Sequence, residues 1–482
     1  MHCCSRMMLE LISFSQQLIR IPFSSPPAAC RLPALIVTLL CGFFDPFSSC
    51  ELKAQQEQAK KVAARSVWAS WRGPTQNGIA APGVNPPVRW SEKKNVKWKV
   101  PLAGLGHSTP AVWGNHVFVT SAESFGKGFA PLPETAPGAH DNRQVTHRYR
   151  FLVTALDRRT GRVLWNKEVN RRIPHEGGHF TGSLASSSPV TDGKRVYAFF
   201  GSHGLYCLDY AGNLVWKRDF GLMSSKHAHG EGSSPVLQDN TLVINWDHQG
   251  QSFVTALDAK NGETLWKVNR DEVTSWSSPI TAFVEGHHQV IVPGSDRVRG
   301  YALDDGRVIW ECGGLSNNVV ASPVFEKGVV YVGSSYDTQA FLAIRVAGAR
   351  GDISGSEHVL WFRRRHTPYV PSPLIYDDTL YFFRHYQGIL YRVEASTGRE
   401  KDARRLLGIT NIYSSPIAAA NRIYIVDRGG RTQVLQHAAE PEPLALNRLN
   451  DSFSASPVAV DDELILRGEK FLYCLKSEDT KD

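Results

Sequence analysis

The segment "KHAHGEG" (226–232) sets His227, His229 and Glu231 at alternate positions. In an extended chain, alternate side chains share one face, and two imidazoles with a carboxylate are a donor set for a divalent cation. The same three residues serve equally as the polar surface of an ion-free loop, so they stand as weak metal candidates, with no others beside them. Serines that could act as nucleophiles abound, but they fall in the repeated pattern "SSPV" and none sits in a nucleophile elbow. Asp157, Asp209, Asp258 and Asp304 resemble metal ligands singly, yet each precedes a glycine by two to four residues, which is turn chemistry. The reading names no catalytic residue.

Stepping outward, the prolines of the repeated serine-proline elements stand at 110, 189, 235, 279, 323, 373, 416 and 457. Most intervals are 41–50 residues, the period of propeller blades. Each unit runs from the Pro through an apolar stretch, a polar turn, an alternating strand such as "VVYVGSS" (329–335), and a closing run such as "FVTALDAKNGETLWK" (253–267). Short β-rich runs, with no long segment of helical period, predict an all-β fold. The periodic Trp residues 165, 216, 266, 310 and 361 are expected to pack between neighbouring sheets. The eighth unit ends at "KFLYCLK" (470–476) without a Trp strand, and "NVKWKV" (95–100) precedes the first Pro. The prediction is an eight-bladed β-propeller of four-stranded blades, closed by this N-terminal strand completing the last blade. Units 6 and 7 carry "ARRLLGI" and "PLALNRL" where a Trp strand belongs, and are expected to be the least regular.

This architecture points the residues just before each Pro at one mouth of a central funnel. Here they are His107, Ser186, Glu231, Trp276, Asn318, Tyr369, Asn411 with Tyr413, and Phe453, a mixture of aromatic and hydrogen-bonding groups suited to a ligand. Together with His227 and His229 they are the candidate ligand-binding residues. An insertion in unit 1, residues 123–150, is long enough to cap the funnel, dock a partner or remain disordered. The opening "WASWRGPTQNG" is too rich in Trp for a free linker, so Trp68 and Trp71 are expected to pack on the propeller.

The chain of 482 residues is 42% hydrophobic and 21% charged, with 54 Lys and Arg against 46 Asp and Glu. A net charge of +8 spread this thinly, with no zinc-finger spacing or phosphate-binding loop, argues against a nucleic-acid partner. Five of eight cysteines fall in the first 50 residues, so no disulfide framework is expected in the body. Arg31 followed by "LPALIVTLLCGFF" (32–44) reads as a signal peptide core within a leader, 1–50, ending in "DPFSSC". The domain reading is therefore a leader at 1–50, a tether and Trp-rich arm at 51–94, the propeller at 95–476 and a tail at 477–482. Localisation is periplasmic or secreted, with membrane attachment only through a lipid anchor at Cys50.

Units such as "SSSPVTDGKRVYAFFGSHGLYCLDYAGNLVWK" (186–217) resemble the pyrroloquinoline-quinone-type (PQQ-like) repeat propellers over about 96–476. "WASWRGPTQNGIA" (68–80) is similar to a bacterial secreted branch of them. That fold hosts quinone dehydrogenases and non-catalytic assembly scaffolds alike. The resemblance implies, for the former, a quinone and Ca²⁺ in the funnel and often a disulfide between adjacent cysteines. The adjacent pair here is Cys3-Cys4, within the leader, and no acidic cluster matches. The leading expectation is a monomeric, non-catalytic binding or assembly scaffold of the cell envelope, with a protein, small-molecule or glycan ligand and no assigned cofactor. Its alternatives are a PQQ- or metal-dependent oxidoreductase, and a carbohydrate-binding propeller using Trp276, Tyr369, Tyr413 and Phe453.

Overall fold

Turn chemistry shapes the first four repeats in the same way. In the third, strands Val236–Gln238, Thr241–Trp246, Ser252–Asp258 and Thr264–Arg270 pair antiparallel in that order. Asp258 Oδ1 accepts the Lys260 N–H at 2.7 Å and Gly262 takes φ +76°, which reverses the chain into the Trp strand. The computed structural model describes residues 64–478; the expected leader 1–50 with Cys50, residues 51–63 of the expected tether and 479–482 of the expected tail lie outside the described residues. Eight sheets result, and the fold is an all-β propeller of eight blades. The last blade orders Val458–Val460, Glu463–Arg467, Phe471–Lys476 and then Val96–Pro101, so the N-terminal strand closes the ring.

The serine of each serine-proline element holds the ring together at its centre. The Thr109 N–H donates to Ser188 Oγ at 2.9 Å, and Ser188, Ser234, Ser278, Ser322, Ser372 and Ser415 each donate to the corresponding serine of the next blade at 2.8–3.0 Å. Ser456 then donates to Thr109 Oγ1 at 3.2 Å, which closes the belt. Buried N–H groups need partners. These have none within their own sheet, and the hydroxyl next door supplies one.

Farther from the axis, all but one of the strand Trp residues lock under the turn of the following blade that runs from an acidic residue to Gly. Trp98, Trp165, Trp216, Trp266 and Trp361 donate their indole N–H to the carbonyls of Arg158, Tyr210, Ala259, Leu303 and Ala395 at 2.7–3.0 Å. The glycines of those turns lie flat on the rings: a Cβ at Gly306 would stand 2.6 Å from Trp266. Trp310 departs from this, donating to Gln289 of its own blade, because residues 346–358 replace the turn it would meet and add Gly351–Asp352 as a fifth strand beside it.

Blades 6 and 7 correct the expectation of irregularity. Glu400–Arg405 and Pro443–Arg448 each pair over five positions with the strand before, as the Trp strands do. Other groups take over the missing lock. Arg392 donates to the Ala438 and Ala439 carbonyls at 3.0 and 2.8 Å, and the backbone N–H of Trp90 donates to Asn447 Oδ1 at 2.9 Å.

Residues 65–80 cross the face opposite the funnel mouth. Val67–Trp68 pairs with Ala111–Trp113 of blade 1 and Ala69 O accepts Thr191 N–H of blade 2. Gln76 bonds Thr281 of blade 4, Asn77 bonds Phe325 of blade 5, and Ala80 N–H donates to Ala418 O of blade 7. Arg72, fully buried, donates to Pro373 O and Pro416 O at 2.7 and 2.8 Å, and burial without a carboxylate lowers its pKa to about 9. Trp68 is 1% exposed, and Trp71 reaches the floor of the funnel.

Candidate functional site

In each blade the first strand runs away from the mouth and the second returns to it. The loops before the first strand and after the second therefore meet at one end. They enclose a cavity of about 400 Å³, within the range of small-molecule pockets. Of the candidate residues, His107, Ser186, His227, His229, Glu231, Trp276, Asn318, Tyr369 and Tyr413 line it.

Two do not. Asn411 is exposed and contributes a carbonyl to the Arg428 N–H. Phe453 is 1% exposed and packs on Tyr473 with ring centroids 5.8 Å apart, while the next residue, Ser454, reaches the cavity. The aromatic residue of blade 8 is core, so it leaves the proposed carbohydrate set.

Three residues that the sequence did not single out join the site, His179, Tyr336 and Tyr386, together with His140 of the unit 1 insertion. Tyr336 and Tyr386 sit in the loops after second strands, in "GSSYD" and "RHYQG". His140 belongs to the unit 1 insertion, which follows a second strand too. The residues before each Pro mark half of the loops at this end, and the unit 1 insertion is one of the others. The insertion folds over one side of the mouth: Arg143 N–H donates to Gly178 O, and Asn142 Nδ2 donates to His227 O at 2.7 Å.

On that side stand four imidazoles. His140 lies 5.0 Å from His227 and 4.8 Å from His229, between ring centroids, and His179 lies 4.8 Å from His229. Burial, then the neighbouring His179, pushes the His229 pKa down to about 4. Burial likewise lowers His179 and His107. These three rings are neutral at neutral pH. Glu231 does not join them: its carboxylate accepts the Ser202 N–H at 2.6 Å and the Ser202 hydroxyl at 2.5 Å. Desolvation raises its pKa to about 7 against those two bonds. The metal candidates thus divide, with the carboxylate turned away from His227 and His229.

Across the cavity lies an arc of tyrosines. Tyr336 stacks on Tyr369 at 5.8 Å, Tyr369 meets Tyr386 at 6.3 Å, and Tyr386 stacks on Tyr413 at 5.1 Å with planes 5° apart. The Arg428 guanidinium covers Tyr413 at 5.2 Å while donating to Thr181 O and pairing with Glu469 at 3.2 Å. The lining contains no lysine or arginine.

The PQQ-like fold implies a quinone with Ca²⁺, and the residues do not fit that pair. The carboxylates lining the cavity are exposed Asp141 and the committed Glu231. Among the described residues, no group of three or more His, Cys, Asp and Glu side chains is arranged to hold a metal ion. Cys207, Cys312 and Cys474 are buried and unpaired, and Cys3-Cys4 lies outside the described residues.

Fold and funnel together define an eight-bladed propeller of the PQQ-like class. A family model described as outer membrane protein assembly factor BamB matches residues 150–404 and 254–481, and the chain belongs to that family. It is 27% identical over 211 residues to outer membrane protein assembly factor BamB of Moranella endobia (strain PCIT), covering 39% of this chain and 48% of that protein. The chain thus spans about half the length of that relative. Among solved structures, BamB from Moraxella catarrhalis is similar with a TM-score of 0.51 at 12% identity, over 75% of this chain and 99% of that one. A europium-containing methanol dehydrogenase is similar with a TM-score of 0.55 at 8% identity, over 85% and 91%. At these identities the likeness is one of fold.

Proposed function

We propose that this protein is a non-catalytic binding and assembly scaffold of the cell envelope, periplasmic or secreted, which holds a protein partner on a rigid propeller. The observation that carries this reading is the family match over residues 150–481. The closed serine belt and the Trp locks support it physically, because a ring braced at two radii presents its loops in a fixed arrangement. Preorganised loops lower the entropy lost on binding. Affinity isolation with the tagged full chain from detergent-solubilised envelopes is expected to retain a partner protein in near-equal amount. Repeated isolation of the chain alone would overturn the scaffold. An oxidoreductase reading finds no support in the lining, so adding pyrroloquinoline quinone with Ca²⁺ is expected to leave the melting temperature unchanged. A ligand at a hundred times its Kd would add about 2.7 kcal/mol, easily seen in such a melt.

A further inference from the structure

We propose that the funnel is a carbohydrate site that takes the terminal ring of a neutral glycan between the tyrosine arc and Trp276. The phenol hydroxyls of Tyr336, Tyr369, Tyr386 and Tyr413 have no hydrogen-bond partner among the described residues, although they gather in one cavity. Burial raises the Tyr369 pKa, and the nearness of Tyr386, Tyr336 and Tyr413 raises it further. Such a set suits a ligand rich in groups that both donate and accept. Sugar hydroxyls do both, and the apolar faces of a pyranose suit exposed aromatic rings: Tyr336 is 64% exposed and Trp276 is half-buried.

The remaining features narrow the class. With no lysine or arginine in the lining and burial lowering the pKa of three imidazoles, a neutral sugar is favoured over an anionic one. An extended peptide would need backbone donors, but the N–H groups of the belt at the cavity floor are already bonded to serine oxygens. A flat aromatic ligand would leave the phenols unmatched, at a cost for each buried hydroxyl. Trp71 from the arm stands at the floor beside the belt serines, which favours entry of a chain end over threading.

The site is independent of the scaffold reading, since a partner held on the outer loops need not enter the funnel. The test is titration of the full chain with chitotriose, cellotriose, xylotriose and maltotriose, with sialyllactose and a tyrosine- and proline-rich hexapeptide as rivals, followed by saturation-transfer NMR. At least one neutral trisaccharide is expected to bind, with the largest transfer to a terminal ring. Tyr369→Phe keeps the ring and removes a hydroxyl, and should weaken binding about tenfold with the melting temperature unchanged. Trp276→Ala should weaken it by at least as much. Failure of all four sugars, preference for sialyllactose or the peptide, or binding untouched by both substitutions would overturn the proposal.

Discussion

Glu231 carries a titration that can be read from outside. Its pKa stands at about 7 in the fold against 4.5 in the unfolded chain, so the folded state binds more protons between those values. Its contribution to stability is therefore full below about pH 4.5 and is lost as pH rises through 7, by up to about 3 kcal/mol. His203 and His229 run the other way. Burial lowers them to about 3 and 4, so they cost stability as pH falls below 6.5. Comparison with Glu231→Gln separates the two effects, because glutamine preserves a contact to Ser202 without the charge. Thermal melts at pH 5 and pH 8 should show a smaller alkaline loss in the variant than in the parent, and equal losses would refute the assignment. The sequence marked Glu231 as special by its place in the ring of residues before each Pro. It gave no sign of Ser202, because that partner comes from a different blade.

At the scale of the element, the Gly-on-Trp lock makes a measurable difference between two glycines of like backbone. Gly306 has φ +74° and a Trp266 ring where its Cβ would go; Gly328 has φ +80° and open space. Gly328→Ala should cost about 1 kcal/mol, the penalty of a left-handed alanine. Gly306→Ala adds crowding and should cost about 1–3 kcal/mol more in denaturant unfolding. The belt offers a companion measurement: Ser278→Ala strips the acceptor from the Ser234 N–H and should cost about 1–3 kcal/mol. These locks were legible in the sequence because the same local rule is written several times over. Where the rule lapsed, in blades 6 and 7, substitutes such as Arg392 and Trp90 came from positions that no repeat announces. The site was half legible for a related reason. Residues before each Pro have a fixed address, whereas Tyr336, Tyr386 and His140 sit in loops whose lengths vary. Phe453 had the right address and the wrong orientation, because the next residue, Ser454, takes the place at the funnel.

For the whole molecule, the arm decides whether the propeller is a cup or a tube. Arg72 joins blades 6 and 7 from a segment that also touches blades 1, 2, 4 and 5, so Arg72→Ala leaves the Pro373 and Pro416 carbonyls without their donor. A loss of about 2–4 kcal/mol is expected. A drop confined to local proteolysis of the arm, without a shift in the global transition, would show that the arm merely rests on the ring.

The seam in blade 8 also sets a timetable. Val96–Pro101 finds its partner only in Phe471–Lys476, and the Ser66 hydroxyl reaches Asp461 across 395 residues. A chain emerging from its N-terminus holds Val96–Pro101 unpaired until Phe471–Lys476 has arrived. Contacts this distant in sequence form slowly, and unpaired strands are prone to wrong partners. The ring therefore closes only after synthesis of the propeller is complete, and a nascent chain must keep this strand from other edges throughout.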